Sequence, residues 1–301
     1  MGNAKLSGDA VSIKSLLRPR AGQLALYPPR PVTIPALDRI STSRSMPKIS
    51  IVVPSFNQGR YIAATLRSVI DQNYPNLELI VVDGGSKDET VSVIKQHASH
   101  IHWCVSEPDS GQTAAINKGF AQSSGDIMAW INSDDLATPG SLFHVADWFA
   151  THPETDVVYG DRLLIDENGD EVSRWILPPH SRRVLNWADF IPQETLYWRR
   201  HAWDLVGAQL DESFRFAMDW DFLLRLSSKQ VNFEHLPLFL GMFRVHQNQK
   251  TSSQMTSIGQ QEMDILRRRA LGYTPTRFQL ILNTVPFLLR TRLLEIGRIL
   301  R

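Results

Sequence analysis

Between residues 48 and 131, short apolar runs rich in β-branched residues alternate with stretches of helical period. Residues 48–54 (KISIVVP) are an unbroken run too short for a helix, and Tyr61, Leu66, Val69 and Ile70 then recur at helical spacing. The unit repeats as a strand over 77–82, a helix over 88–97, a strand over 101–105, a helix over 113–121 and a strand over 127–131. Strands apolar on both faces, each followed by a helix, predict an α/β fold: a mostly parallel central sheet flanked by helices. Farther on, residues 216–221 open a helix carrying Phe222, Leu223, Leu224 and Leu226, and Arg244-Val245-His246 ends a strand.

The ends of the chain follow a different pattern. The first 46 residues hold Pro19, Pro28, Pro29, Pro31 and Pro35 without sustained periodicity and read as an extended basic arm, so the body spans 47–250. Residues 251–301 form a C-terminal helical extension, in which Phe278, Leu280, Ile281, Leu282, Phe287, Leu288, Leu289, Leu293, Leu294 and Ile296 mix with arginines. Its longest uncharged run, 278–289, has 12 residues and contains Pro286. A membrane span needs about 20. Interfacial membrane helices, helices packed on the body and a dimer interface all fit this pattern.

Charge sharpens that division. The net charge of +1 conceals +5 over residues 1–46, +4 over 272–301 and −8 between them. An acidic body with basic ends lacks the basic working surface of a nucleic-acid reader but suits contact with an anionic membrane. A single cysteine, Cys104, excludes internal disulfides and Cys-x-x-Cys zinc sites and points to a cytoplasmic protein, at the inner face of the membrane where the basic ends reach it.

In an open α/β sheet, ligands bind beyond the carboxyl ends of the strands. Polar residues gather there: Ser55-Phe56-Asn57 after the first strand, Asp83-Gly84-Gly85-Ser86-Lys87-Asp88 after the second, Asn132-Ser133-Asp134-Asp135 after the fourth. Adjacent carboxylates repel, so Asp134 and Asp135 call for a cation, a donor network or solvent, or else cap a helix. Neither GxGxxG nor GxxxxGK[ST] follows the first strand, which disfavours dinucleotide enzymes and P-loop NTPases.

The segments 51–57 (IVVPSFN), 81–88 (VVDGGSKD), 111–119 (GQTAAINKG), 132–135 (NSDD) and 219–221 (DWD), in this order, resemble the family-2 glycosyltransferases of the GT-A fold over residues 48–250. The resemblance implies transfer of a sugar from a nucleotide-diphosphate donor to a glycan or lipid-linked glycan acceptor, with inversion, in surface-glycan synthesis. It places the donor at Pro54, Ser55, Asn57, Asp83, Gly111, Gln112, Asn117 and Asp134. It implies a divalent metal, Mn²⁺ or Mg²⁺, at Asp134, Asp135 and His246, with either Asp as the direct ligand. It makes Asp219 the general base and sets Gln193 and Glu194 on the acceptor side. Asn132 departs from the pattern, standing where the family often has the first Asp of its acidic motif. Several of these residues have structural alternatives: an Asx turn for Asp83, a helix cap for Asn57 and Asp219, a helix-end tie for Asn117. A binding protein of the same fold without catalysis is the second functional reading.

Overall fold

A computed structural model of the protein describes residues 26–34, 46–246 and 258–299. Of the arm expected over 1–46, residues 1–25 and 35–45 lie outside the described residues, as do residues 251–257 of the extension.

The first apolar run forms β1 (Ile49–Ser55), buried along its whole length. The units that follow are α1 (Ile62–Ile70), β2 (Leu77–Asp83), α2 (Thr90–Gln96), β3 (Trp103–Ser106), α3 (Gln112–Ala121) and β4 (Ile127–Trp130). These elements match the predicted ones to within two residues at each end. The four strands lie in the order β3-β2-β1-β4, all parallel. Alternate residues of β1 face opposite layers. Ile49, Ile51 and Val53 pack with Ile62, Leu66 and Val69 of α1, while Val52 packs with Ala115, Ile116 and Phe120 of α3. Gly119 lets α3 approach closely, since a Cβ there would fall 2.5 Å from Val52 Cγ1.

Beyond β4 the sheet becomes mixed. The chain adds β5 (Leu136–Ala137), α4 (Ser141–Thr151), β6 (Val157–Ile165), β7 (Glu171–Trp175), α5 (Arg182–Leu185), a single turn over Gln193–Thr195, β8 (Tyr197–Arg199) and α6 (Arg200–Leu205). After these come α7 (Met218–Ser228), β9 (Phe233–Arg244), α8 (Gln260–Leu271) and α9 (Arg277–Ile299). The sheet continues β4-β8-β6-β9-β5, with β7 on the outer half of β6. β8 is antiparallel to both neighbours, and β6 and β9 are parallel. Trp130, Trp198, Trp203 and Trp220 belong to one buried cluster between this sheet and α3, α6 and α7, so these tryptophans are core.

Part of the proline-rich arm is docked on the body. Arg30 pairs with Glu171 of β7 through backbone hydrogen bonds of 3.1 and 2.7 Å, and Val32 and Ile34 pack on Leu163, Ile165 and Met242.

Candidate active site

Register sets the first wall of the site. β1 and β2 pair so that Ser55 lies beside Asp83 and Pro54 beside Val82, which brings both polar ends to one edge. Asp83 is fully buried and closes an Asx turn: its Oδ2 accepts from Ser86 N at 2.9 Å, Gly85 N at 3.2 Å and Ser106 Oγ at 2.6 Å, and its Oδ1 from the Ser86 hydroxyl. Gly85 holds φ +81°, which a side chain would strain. Asn57 joins the two strand ends, donating its N–H to Ser86 Oγ at 2.7 Å and accepting from Lys87 N at 2.9 Å. Ser55 Oγ is buried and has no hydrogen-bond partner among the described residues.

The acid loop after β4 forms the second wall and separates its two carboxylates. Asp135 is buried. It accepts from Arg244 N at 3.0 Å and from Asn132 Nδ2 at 3.2 Å, and its carbonyl accepts from Thr65 Oγ1 at 2.8 Å. Asn132 Oδ1 in turn accepts from Gln112 Nε2 at 2.6 Å, so the neutral amide links α3 to the acid loop. Burial first, then the Asp134 and Glu194 charges, push the Asp135 carboxyl well above the ordinary carboxylate range. Asp134 is more open, its side chain 18% exposed, and its Oδ2 lies 2.9 Å from Nε2 of the enclosed His246. Arg244 steadies the loop from the far side by donating to Asp134 O at 2.9 Å, and its guanidinium lies over Tyr61.

The third wall comes from residues distant in sequence. Glu194 sits in the turn before β8 and is gripped from β6 by Arg162 through two hydrogen bonds of 2.7 Å. Gly241 of β9 presses on this turn, where a Cβ would come within 2.5 Å of Glu194 O. Gln193 donates Nε2 to Trp130 O at the end of β4 at 2.6 Å, which leaves its buried Oε1 without a partner. Asp219 opens α7, partly exposed, with Oδ1 accepting from Trp220 N at 2.8 Å. Burial is the main force on its carboxyl. The backbone donors and Arg162 oppose that force, Glu194 adds to it, and the pKa settles at about 6. Asp189 is exposed as a residue, and burial of its carboxyl together with the Asp219 charge raises its pKa above the ordinary range.

A family model for glycosyl transferase family 2 matches residues 50–208, which is more than half the chain. The chain belongs to glycosyl transferase family 2. An uncharacterized glycosyltransferase of Rickettsia typhi is 28% identical over 228 residues, covering 72% of this chain and 70% of that protein. A PGL/p-HBAD biosynthesis glycosyltransferase of Mycobacterium bovis is 30% identical over 189 residues, 60% of this chain and 70% of the relative. Chondroitin synthase of Escherichia coli is 28% identical over 62% of this chain, which spans 27% of that longer protein. Among solved structures, S. aureus TarS in complex with UDP-GlcNAc superposes with a TM-score of 0.63 at 19% identity, covering 80% of this chain and 71% of TarS. A mannosyltransferase from Pyrobaculum calidifontis, in complex with GDP-Man and Mn²⁺, gives 0.55 at 19% identity over 84% and 75% of the two chains. At these identities the superpositions show the GT-A fold.

For this family-2 glycosyltransferase, most of the residues picked from sequence lie at strand ends or in the turn before β8, namely Pro54, Ser55, Asn57, Asp83, Asp134, Asp135, Gln193, Glu194 and His246, while Gln112 and Asp219 sit in the first turns of α3 and α7. Gly111, at φ +123°, begins α3 beside them. Asn117 stands apart, because its amide is spent on Leu210 N and O at 2.8 and 3.0 Å and on Glu212 at 3.1 Å, so it ties α3 to the 210 loop. Asp135 is likewise committed to its own loop. Two site residues escaped the sequence reading, Arg162 and Asp189. The first had a signal, a lone cation inside the apolar strand VVYGDRLLI; the second lies in an irregular segment without one.

Among the described residues, no three His, Cys, Asp or Glu side chains gather closely enough to hold a metal by themselves. Asp134 and His246 are nonetheless suitably spaced. Two adjacent ligands of an octahedral ion with bonds of about 2.1 Å sit about 3.0 Å apart, and these two donor atoms are 2.9 Å apart. One carboxylate and one imidazole are donors that fit a Mg²⁺ or Mn²⁺ ion.

Proposed function

We propose that the protein transfers a sugar from a nucleoside-diphosphate donor to an acceptor hydroxyl with inversion at the anomeric carbon, building a surface glycan that is free or lipid-linked. The observation that carries this reading is the Asp219 carboxylate, partly open, with a pKa of about 6, beside the charges of Glu194, Arg162 and Asp189. A base of that pKa is mostly ionised at neutral pH yet basic enough to accept a proton from an attacking hydroxyl.

The nucleoside is taken up along Pro54, Ser55, Asn57 and Asp83. Ser55 Oγ, buried without a partner, gains a hydrogen bond when a ribose or base group arrives, which offsets the cost of leaving it unpaired. Gly111 and Gln112 border the diphosphate. Asp134 and His246 would hold a divalent ion, which would supply Lewis-acid neutralisation of negative charge on the donor diphosphate. Asp135, bonded to Arg244 N and Asn132, fixes the loop that presents Asp134. On the other side, the unpartnered Gln193 Oε1 accepts from the acceptor sugar, and Asp219 removes the proton as the hydroxyl attacks opposite the leaving group. Arg162, held by Glu194, keeps three nearby carboxyl groups from forming an unbalanced negative cluster.

The names of relatives support the surface-glycan assignment, since they include chondroitin synthase and an enzyme of PGL/p-HBAD biosynthesis. UDP-GlcNAc in TarS and GDP-Man in the mannosyltransferase make UDP- and GDP-sugars the first donors to try. The test is release of nucleoside diphosphate from a panel of UDP-, GDP- and dTDP-sugars with Mn²⁺. Asp219→Asn is expected to lower turnover by about 10²–10⁴-fold while leaving nucleotide binding unchanged. Nucleotide binding without turnover in the unaltered protein would instead establish the binding-protein reading.

A further inference from the structure

Among the described residues, nothing covers one apolar face of the last helix. On α9, Phe278 is 72% exposed, Leu282 61%, Ile281 58% and Leu289 39%. At 3.6 residues per turn these four, with Val285 between them, fall within an arc of about 100° along a rise of about 17 Å. The opposite side of the helix is seated on the body: the Phe287 ring meets Phe190 at 4.5 Å, and Asn283 Oδ1 accepts from Arg183 Nη2 at 2.9 Å. Arg277 and Arg290, both exposed, flank the apolar face roughly 100–120° from its centre.

We propose that this face docks the enzyme on an anionic lipid bilayer, with α9 lying in the interface plane. Apolar side chains enter the acyl boundary and the arginines meet lipid phosphates from either flank, the arrangement of an interfacial helix. No helix among the described residues is long and apolar enough to cross a membrane, so the contact is peripheral. Charge selects this occupant over two others. A second copy would set one +4 segment against another, and the chain's own first 46 residues carry +5. The seat on Phe190 also matters, because Phe190 leads into Gln193 and Glu194. The bilayer then lies about one helix diameter, roughly 10 Å, from the acceptor-side segment. That last step rests on the acceptor-side reading of the site; the docking itself does not.

The experiment is co-sedimentation of the full chain with phosphatidylcholine vesicles, with and without phosphatidylglycerol. The protein is expected to bind only the anionic vesicles, and to release in high salt. Combining Phe278→Ser, Ile281→Ser and Leu282→Ser should weaken partitioning by at least about tenfold, with an unchanged unfolding curve because all three side chains are exposed. Arg277→Glu with Arg290→Glu should abolish the preference for anionic lipid. A wild-type protein that stays in the supernatant, or a triple variant that binds as the wild type does, overturns the proposal. A wild-type dimer that the triple variant converts to monomer assigns the face to a second copy instead. Vesicle binding needs neither donor nor turnover, so failure here leaves the sugar-transfer reading intact, and an inactive protein can still confirm the docking.

Discussion

Glu194 does two things to Asp219. Its charge raises the Asp219 pKa directly, and its grip on Arg162 occupies the cation that lowers it. If Asp219 is the base proposed above, it must be ionised to accept a proton, so activity should fall as pH drops below about 6, with the acid limb shared with Asp189 because the two carboxyls titrate against each other. Glu194→Gln removes the raising charge and releases Arg162, so both effects act in the same direction. The acid limb of kcat/KM is expected to move to lower pH, with a lower Tm because Arg162 loses a buried partner. A limb that stays in place or moves up would separate Glu194 from the base. The Asp134-Asp135 pair shows why the sequence alone could not name the metal ligand: both are Asp, both follow the same strand, and only the contacts from Arg244 N, Asn132 and Thr65 mark Asp135 as the committed one.

The elements divide by how local their causes are. β1 to β4 were legible because each is a short apolar run paired in parallel and separated by its own helix. In the second half α7 and the end of β9 were also legible, but β5 and β8 were not, because they have two and three residues and are strands only by virtue of partners far along the chain. The arm shows the same limit. Its prolines read as an extended linker, but one stretch is held on β7 by Glu171, which is fully buried and bonded by Arg174, Tyr27 and Arg30. Burial works to raise the Glu171 carboxyl, and those donors outweigh it, bringing the pKa down to about 2. A carboxyl with a depressed folded pKa contributes stability above its unfolded value of about 4.3, and that contribution is lost as pH falls toward about 2. Glu171→Gln is therefore expected to cost about 1–2 kcal/mol at neutral pH, a modest figure because the arginines are partly exposed. In urea denaturation the gap from the wild type should close below pH of about 4. A gap independent of pH would show that the ion network is not its source.

For the whole molecule, the division of labour between chain and substrate determines how donor and metal bind. On the proposed reading the chain would bring two ligands, Asp134 and His246, and the described residues offer no third, so an ion bound by protein alone would keep most of its water. A nucleoside diphosphate bound along β1 and β2 without the ion faces the acid loop with its charge unbalanced. Each is thus a weak ligand alone and a stronger one with the other, and the coupling must be reciprocal. In thermal shift titrations, Mn²⁺ alone and a nucleoside diphosphate alone should each raise Tm little, and together by more than their sum. Asp134→Asn should remove the excess while sparing the small nucleotide effect, because Ser55, Asn57 and Asp83 lie on the other wall. Asp135→Asn should keep part of the excess and lose stability, since its role is to hold the loop. Equal shifts for Mn²⁺ with and without nucleotide would mean that the protein completes the metal site unaided, and the two-ligand clamp would have to be abandoned.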